Sequence, residues 1–159
     1  MSAPQRAEPS LAAVPFPSLA WFARLTDLMN ANRARQEQLG FVDCVVQFTV
    51  LGEPPWSALV TFAEFSAGDV RSPDAGDGDT ADFVLEAPLA TWREMIESIA
   101  NGNGRPDLDH SLNRLTHMGA PMRVHSGDPL RRDLYFRYNQ SLQEFINASA
   151  AFRTVARPR

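Results

Sequence analysis

The stretch Ala81-Asp82-Phe83-Val84-Leu85-Glu86-Ala87-Pro88-Leu89-Ala90-Thr91-Trp92-Arg93-Glu94-Met95-Ile96-Glu97-Ser98-Ile99 holds two kinds of pattern in succession. Ala81 to Glu86 reads as a β-strand. From Pro88 onward Trp92, Met95, Ile96 and Ile99 recur at i, i+3, i+4 and i+7, the stripe of an amphipathic helix. Pro88 suits a helix start, because the N–H it lacks would have no intrahelical partner there. Thr91 and Glu94 have the spacing of a capping box. A strand that runs directly into an amphipathic helix calls for a sheet with that helix laid against it.

Two longer strands are predicted upstream. In Phe41–Leu51, Val42, Cys44, Val46, Phe48 and Val50 share one parity while Asp43, Gln47 and Thr49 take the other. That period of two marks a sheet with one face on the core. Gly52-Glu53-Pro54-Pro55 turns the chain, since neither proline belongs in a central strand. Trp56 to Phe65 carries apolar groups on both faces and is predicted to be central. Ser66–Asp69 reads as a turn, Val70-Arg71 as a short extension, and Ser72–Thr80 as a polar loop. Before these strands, Ser18 caps a helix predicted to run to Gly40, with Leu19, Phe22, Leu25, Leu28 and Met29 at helical spacing. Downstream, a helix is expected over about Asp107–Met118, with Leu108, Leu112 and Leu115 on one side and Gly119 at its stop. Met122–His125 is a short strand. Asp128-Pro129 opens a last helix to about Phe152, with Leu134, Tyr138, Leu142, Phe145, Ile146 and Phe152 as its buried stripe. This order predicts an α+β domain with helices on one face of a mostly antiparallel sheet. Residues 1–15 read as a flexible arm, 16–153 as the domain and 154–159 as a flexible tail.

A chain of 159 residues with 44% hydrophobic and 21% charged residues has the make-up of one globular domain. Acids exceed bases by 19 to 15, which argues against a nucleic-acid partner. Every base is an arginine, so Schiff-base and phosphate-loop lysine chemistry is excluded. The apolar runs fall short of the ~20 residues that span a bilayer, and the N-terminal residues do not form a signal peptide. The expected location is therefore cytoplasmic.

No catalytic cluster emerges. Cys44, mid-strand between valines, reads as an inert core thiol. His110, His117 and His125 form no metal-binding pair, although His110 and His117 are spaced to share a helix face. Asp74, Asp77, Asp79 and Asp82 crowd one loop in no calcium-loop pattern, and a solvated turn explains them better. Gly102-Asn103-Gly104 follows a helix and is no phosphate loop. Arg131-Arg132 offers charge for an anionic head group, against the plainer reading of solvent-facing surface. Glu64 shares parity with Val60 and Phe62, so a buried strand position would make it a general base, and a strand-end position would make it surface.

The chain resembles the sterol carrier protein type-2-like lipid-binding domains. The resemblance rests on Ala81–Pro88 followed by Leu89 and Trp92-Arg93-Glu94-Met95, and on Met122-Arg123-Val124-His125-Ser126-Gly127-Asp128 leading into a final amphipathic helix. Gly40-Phe41-Val42 through Phe48-Thr49-Val50 is similar to the family's first strand. Gly119-Ala120-Pro121 and the long acidic loop 72–80 depart from the pattern. The resemblance covers about residues 17–152. It implies a sheet of about five strands covered by helices on one face, with an apolar tunnel between them.

On that basis the expected function is non-enzymatic binding and transfer of a hydrophobic ligand such as a sterol, fatty acid, fatty acyl-CoA or isoprenoid. The expected wall residues are Phe62, Trp92, Met95, Ile96, Leu115, Met118, Leu142, Phe145 and Ile146, with the last helix as a lid. No cofactor and no metal is expected. A transient membrane contact and a partner enzyme complete the expected partners. Two other readings stand beside this one: an accessory subunit of a partner enzyme, and a small cone-shaped isomerase or dehydratase built on Glu64.

Overall fold

The computed structural model describes residues 13–74, 76–77 and 80–158. Strand β2 (Cys44–Leu51) lies at the middle of a five-stranded sheet. β3 (Trp56–Ala63) pairs antiparallel on one side of it, and β4 (Ser66–Arg71) pairs antiparallel with β3 at the edge. β5 (Phe83–Pro88) lies parallel to β2 on its other side, with Val46 opposite Phe83. β6 (Arg123–His125) closes that edge antiparallel to β5. The sheet order is therefore β4-β3-β2-β5-β6, and the sheet is mostly antiparallel as expected.

The alternation in the sequence decides which face is covered. Cys44, Val46, Phe48 and Val50 of β2 are all buried, as are Ala58, Val60 and Phe62 of β3 and Phe83, Leu85 and Ala87 of β5. Three helices pack on this face: α1 (Leu19–Ala31), α3 (Leu89–Asn101) and, following α2 (Arg33–Leu39), α4 (Leu112–Leu115) and α5 (Pro129–Arg132), the long α6 (Leu134–Asn147). On the opposite face Gln47, Thr49 and Ser57 satisfy one another across the strands, with Thr49 Oγ1 2.9 Å from Ser57 Oγ. Trp92 anchors α3 by donating from its indole Nε1 to the Thr49 carbonyl at 3.1 Å.

Several elements differ from their sequence reading, each for a local reason. The first helix starts as predicted, with Ser18 Oγ accepting from Trp21 N, but it breaks at Asn32 into α1 and α2. Near the break Asn30 leaves the helix surface to bind the backbone of β4, accepting from Ala67 N and donating to Ala67 O. Ser66 and Ala67, read as a turn, are thus strand residues. The Thr91–Glu94 capping box is not made, because the cap position falls on Pro88, which has no side-chain acceptor, and Thr91 is buried. The predicted 107–118 helix is two short turns. Asp107 caps the first over Leu108–His110, and Ser111 caps α4 by accepting from Arg114 N. Two caps in five residues restart the chain, and Leu108, expected inside, is 89% exposed.

The chain ends correct the domain boundaries. β1 (Val14–Phe16) and β7 (Thr154–Ala156) form a two-stranded parallel sheet, with Val14 opposite Thr154. Trp21 Nε1 donates to Thr154 Oγ1 at 3.0 Å and ties this pair to α1. The ordered unit thus takes in Val14 and Pro15 from the predicted arm and Thr154–Ala156 from the predicted tail. Residues 1–12 of that arm lie outside the described residues.

Candidate functional site

Eight of the nine expected wall residues are brought together in the interior. Phe62, Trp92, Met95, Ile96, Leu115, Leu142, Phe145 and Ile146 are all buried. They are packed against one another and their neighbours: the Phe62 and Phe145 rings meet edge-on with centroids 5.0 Å apart, and Phe48 lies 6.1 Å from Phe145 and 6.2 Å from Trp92. Aromatic rings thus meet where the tunnel was expected. The ninth, Met118, is a correction. It follows the end of α4 and is 94% exposed, because α4 stops at Leu115 and leaves Met118 in a turn over solvent.

An apolar cavity lies at the seam where α3 meets the paired chain ends. A half-open cavity of about 500 Å³ sits there, within the ~300–1,000 Å³ of small-molecule sites. One wall is a single face of α3: Arg93, Ile96, Glu97 and Ala100, at i, i+3, i+4 and i+7. The other wall is the C-terminal segment, with Ser149 and Phe152 followed by Val155 of β7, and Phe16 of β1 also lines the cavity. Arg93 and Arg153, both exposed, stand at its rim. Ser149 is the distinctive polar group. It is 2% exposed, and its Oγ has no hydrogen-bond partner. A buried hydroxyl left unpaired costs about 1–3 kcal/mol, so a ligand atom that bonds it gains that much over an apolar contact.

Ile96 is the one expected wall residue that also lines this cavity, and it links the seam to the interior. Sequence reading missed the rest because the cavity is made by the pairing of residues 14–16 with 154–156, two segments ~140 residues apart that look like mobile ends. The β-branched pair Thr154-Val155 was the available signal.

The other candidates resolve into structural roles. Glu64 lies in the β3–β4 hairpin turn with φ 57° and is exposed, so it takes the strand-end, surface position rather than the buried one. Cys44 is buried, and burial, with Asp82 and Asp43 nearby, pushes its thiol up to about 12, consistent with an inert core residue. Arg131 is already engaged: its guanidinium donates to Asp82 Oδ1 at 3.0 Å and to the Ala81 carbonyl at 2.8 Å. Asp82 in turn accepts from Val45 N at 2.7 Å, which fixes the start of β5 beside β2. In the acidic loop Arg71 grips both oxygens of Asp77 at 2.6 and 2.7 Å, and this clamp with the Asp74 amide holds the Asp77 carboxyl below the usual carboxylate range. Asp79 lies outside the described residues. Among the described residues no three His, Cys, Asp or Glu side chains converge on a metal position. His110 pairs with Asp107 at 2.7 Å, His125 lies 3.3 Å from Glu86, and His117 sits beyond α4 rather than on a face shared with His110. No helix among the described residues is long and apolar enough to cross a membrane.

Comparison with solved structures matches this architecture. The crystal structure of sterol carrier protein 2 superposes with a TM-score of 0.58 over 84% of this chain and 95% of its own, at 20% identity. The chain has the fold of sterol carrier protein 2. A conserved hypothetical protein from Thermus thermophilus, described as a candidate sterol carrier protein, matches with a TM-score of 0.56 over 89% of this chain and 91% of its own, at 18% identity. No family model matches the sequence, and no curated protein matches it. In the sterol-carrier fold found here, the five strands and the covering helices agree with the sequence reading.

Proposed function

We propose that this protein binds and carries a hydrophobic ligand, without catalysis, at the seam between α3 and the paired chain ends. The observation that carries the reading is the cavity at that seam, with apolar walls of Phe16, Ile96, Phe152 and Val155, an unpaired buried hydroxyl and arginines at its rim. The sterol-carrier fold supports the ligand class. The ligand chemistry that fits is an apolar chain or ring with one polar end, of the kind found in fatty acids, fatty acyl thioesters and isoprenoids. A buried CH₂ contributes about 0.8 kcal/mol, so about ten of them reach the roughly −8 kcal/mol of micromolar binding before association costs. The other seven interior residues belong to the same buried core as Ile96. A chain longer than the cavity reaches them by displacing Ile96 and Met95, with α6 moving as the lid.

The test is mass spectrometry of the purified protein, native and after organic extraction, with displacement of a fluorescent fatty acid. Ala100→Trp fills the cavity from an exposed helix position and is expected to weaken the probe by about tenfold or more. A probe that binds Ala100→Trp and the parent equally excludes this cavity. A parent protein that takes up neither fatty-acid nor isoprenoid probes excludes the carrier reading.

A further inference from the structure

We propose that a second, polar cavity, formed by α2, the turn after α3 and the end of α6, is a binding site for a small neutral polyol such as a sugar. It is distinct from the seam cavity and stands on separate observations. The short turn Ala148–Ala151 after α6 contributes Ser149 to the seam but Ala148 and Ala151 to this second cavity. Its volume is about 450 Å³, within the ~300–1,000 Å³ of small-molecule sites. Local sequence builds it. The break at Asn32 starts α2 afresh, and Asn32, Arg35 and Gln36 line the cavity at i, i+3 and i+4. Asn103 and Gly104 take φ of 53° and 97°, the left-handed region that Asn and Gly enter most readily, and the turn they make brings Arg105 to the wall. Glu144 and Asn147 come from α6.

The polar groups of this cavity keep bonding capacity that the chain itself does not use. Leu112 N donates to Gln143 Oε1 at 2.7 Å, so Gln143 Nε2 is the end that donates to Asn147 Oδ1 at 2.8 Å, and Asn147 keeps its Nδ2 as a donor. Arg35 Nε donates to Glu144 Oε1 at 3.2 Å, which ties α2 to α6 and leaves Glu144 Oε2 as an acceptor. Among the described residues, the side chains of Asn32, Asn103 and Arg105 make no hydrogen bond or ion pair. Gln36 is 4% exposed, and its Oε1 is buried without a partner. Half a turn about the last bond of that side chain offers the acceptor to a ligand and breaks no bond of Oε1. These groups select the ligand class. Glu144 opposes an anion, and Arg35 and Arg105 oppose a cation. A hydroxyl both accepts from Asn147 or Arg105 and donates to Glu144 or Gln36. Several hydroxyls on one small frame use several of these groups at once, while Leu28, Met29 and Ala151 meet its C–H face. An alkyl chain would bury the same groups unpaired.

The experiment is titration of the protein with glucose, myo-inositol and trehalose, followed by backbone and side-chain amide NMR, with citrate and putrescine as charged comparators. At least one polyol is expected to shift the Asn32, Gln36, Asn103 and Asn147 amides along a saturating curve, with a dissociation constant of about 1 mM or tighter. Asn32→Ala with Arg105→Ala removes two exposed side chains that bond to nothing else among the described residues. Its thermal midpoint should hold while polyol affinity falls about tenfold. Ala151→Trp fills the cavity from an exposed position and should abolish the shifts. Ala100→Trp, which fills the seam, should bind the polyol like the parent. No saturable shift at these amides with any of the three polyols overturns the proposal, as does parental affinity in the Asn32/Arg105 variant. Tighter binding of citrate or putrescine overturns it in favour of a charged ligand. Fatty-acid uptake at the seam is measured separately, so either reading can fail alone.

Discussion

Two apolar regions of this molecule have similar composition and opposite character. Between sheet and helices, Phe48, Phe62, Trp92 and Phe145 meet ring to ring. At the seam, Phe16, Ile96, Phe152 and Val155 surround a cavity of about 500 Å³. The difference lies in what faces what. The interior apposes a pleated sheet to three helices, so side chains interdigitate from both sides to the density of ordinary protein cores. The seam apposes one helix face to a two-stranded ribbon of three-residue strands, which is too narrow to cover that face. A hydrophobic surface becomes a ligand site where its partner element is too small to fill it.

The sharpest way to break this comparison is Phe145→Ala. If the interior is packed core, the substitution costs about 3–5 kcal/mol in denaturant unfolding. A cost under about 1 kcal/mol would mean that Phe145 faces empty space, and the contrast would fail. Thr154→Val tests the seam. It leaves the Trp21 indole N–H without its acceptor, and is expected to cost about 1–3 kcal/mol and to speed hydrogen exchange at β1 and β7 before the interior. Uniform exchange across both regions would show that they open as one unit.

Ser149→Ala has the opposite sign. Removing a buried hydroxyl that has no partner should raise ligand-free stability by roughly 1 kcal/mol, while any ligand that bonds that hydroxyl loses affinity. Loss of stability would mean that the hydroxyl is satisfied. The smallest effect concerns the loop clamp of Arg71 on Asp77. The Asp77 carboxyl is held below its ordinary value, so its contribution is present above the unfolded value of about 3.9 and disappears as pH falls through the lowered one. Carboxyl NMR should find Asp77 titrating below the ordinary aspartate value, and Arg71→Gln should return it toward that value with little change in global stability.

Much of the interior was legible because a single physical rule wrote it. Cys44, Val46, Phe48 and Val50 could alternate only if one face of β2 was covered, and Trp92, Met95, Ile96 and Ile99 could recur only on a helix facing it. Met118 and Leu108 were misplaced because periodicity assumes that a helix continues, whereas local caps at Asp107 and Ser111 stop it and restart it. Glu64 was ambiguous for a related reason: parity names a face only as far as the strand extends, and β3 ends at Ala63.

The sequence by itself determined the α+β class, the covered face of the sheet and the helix stripes, since each follows from patterns within about a dozen neighbouring residues. Tertiary structure alone decided that the chain ends pair, that Arg131 is spent on Asp82, that Ser149 is buried without a partner, and that a cavity opens at the seam. Those outcomes depend on contacts between segments far apart in the chain and on how completely one surface fills another, and periodicity carries information about neither.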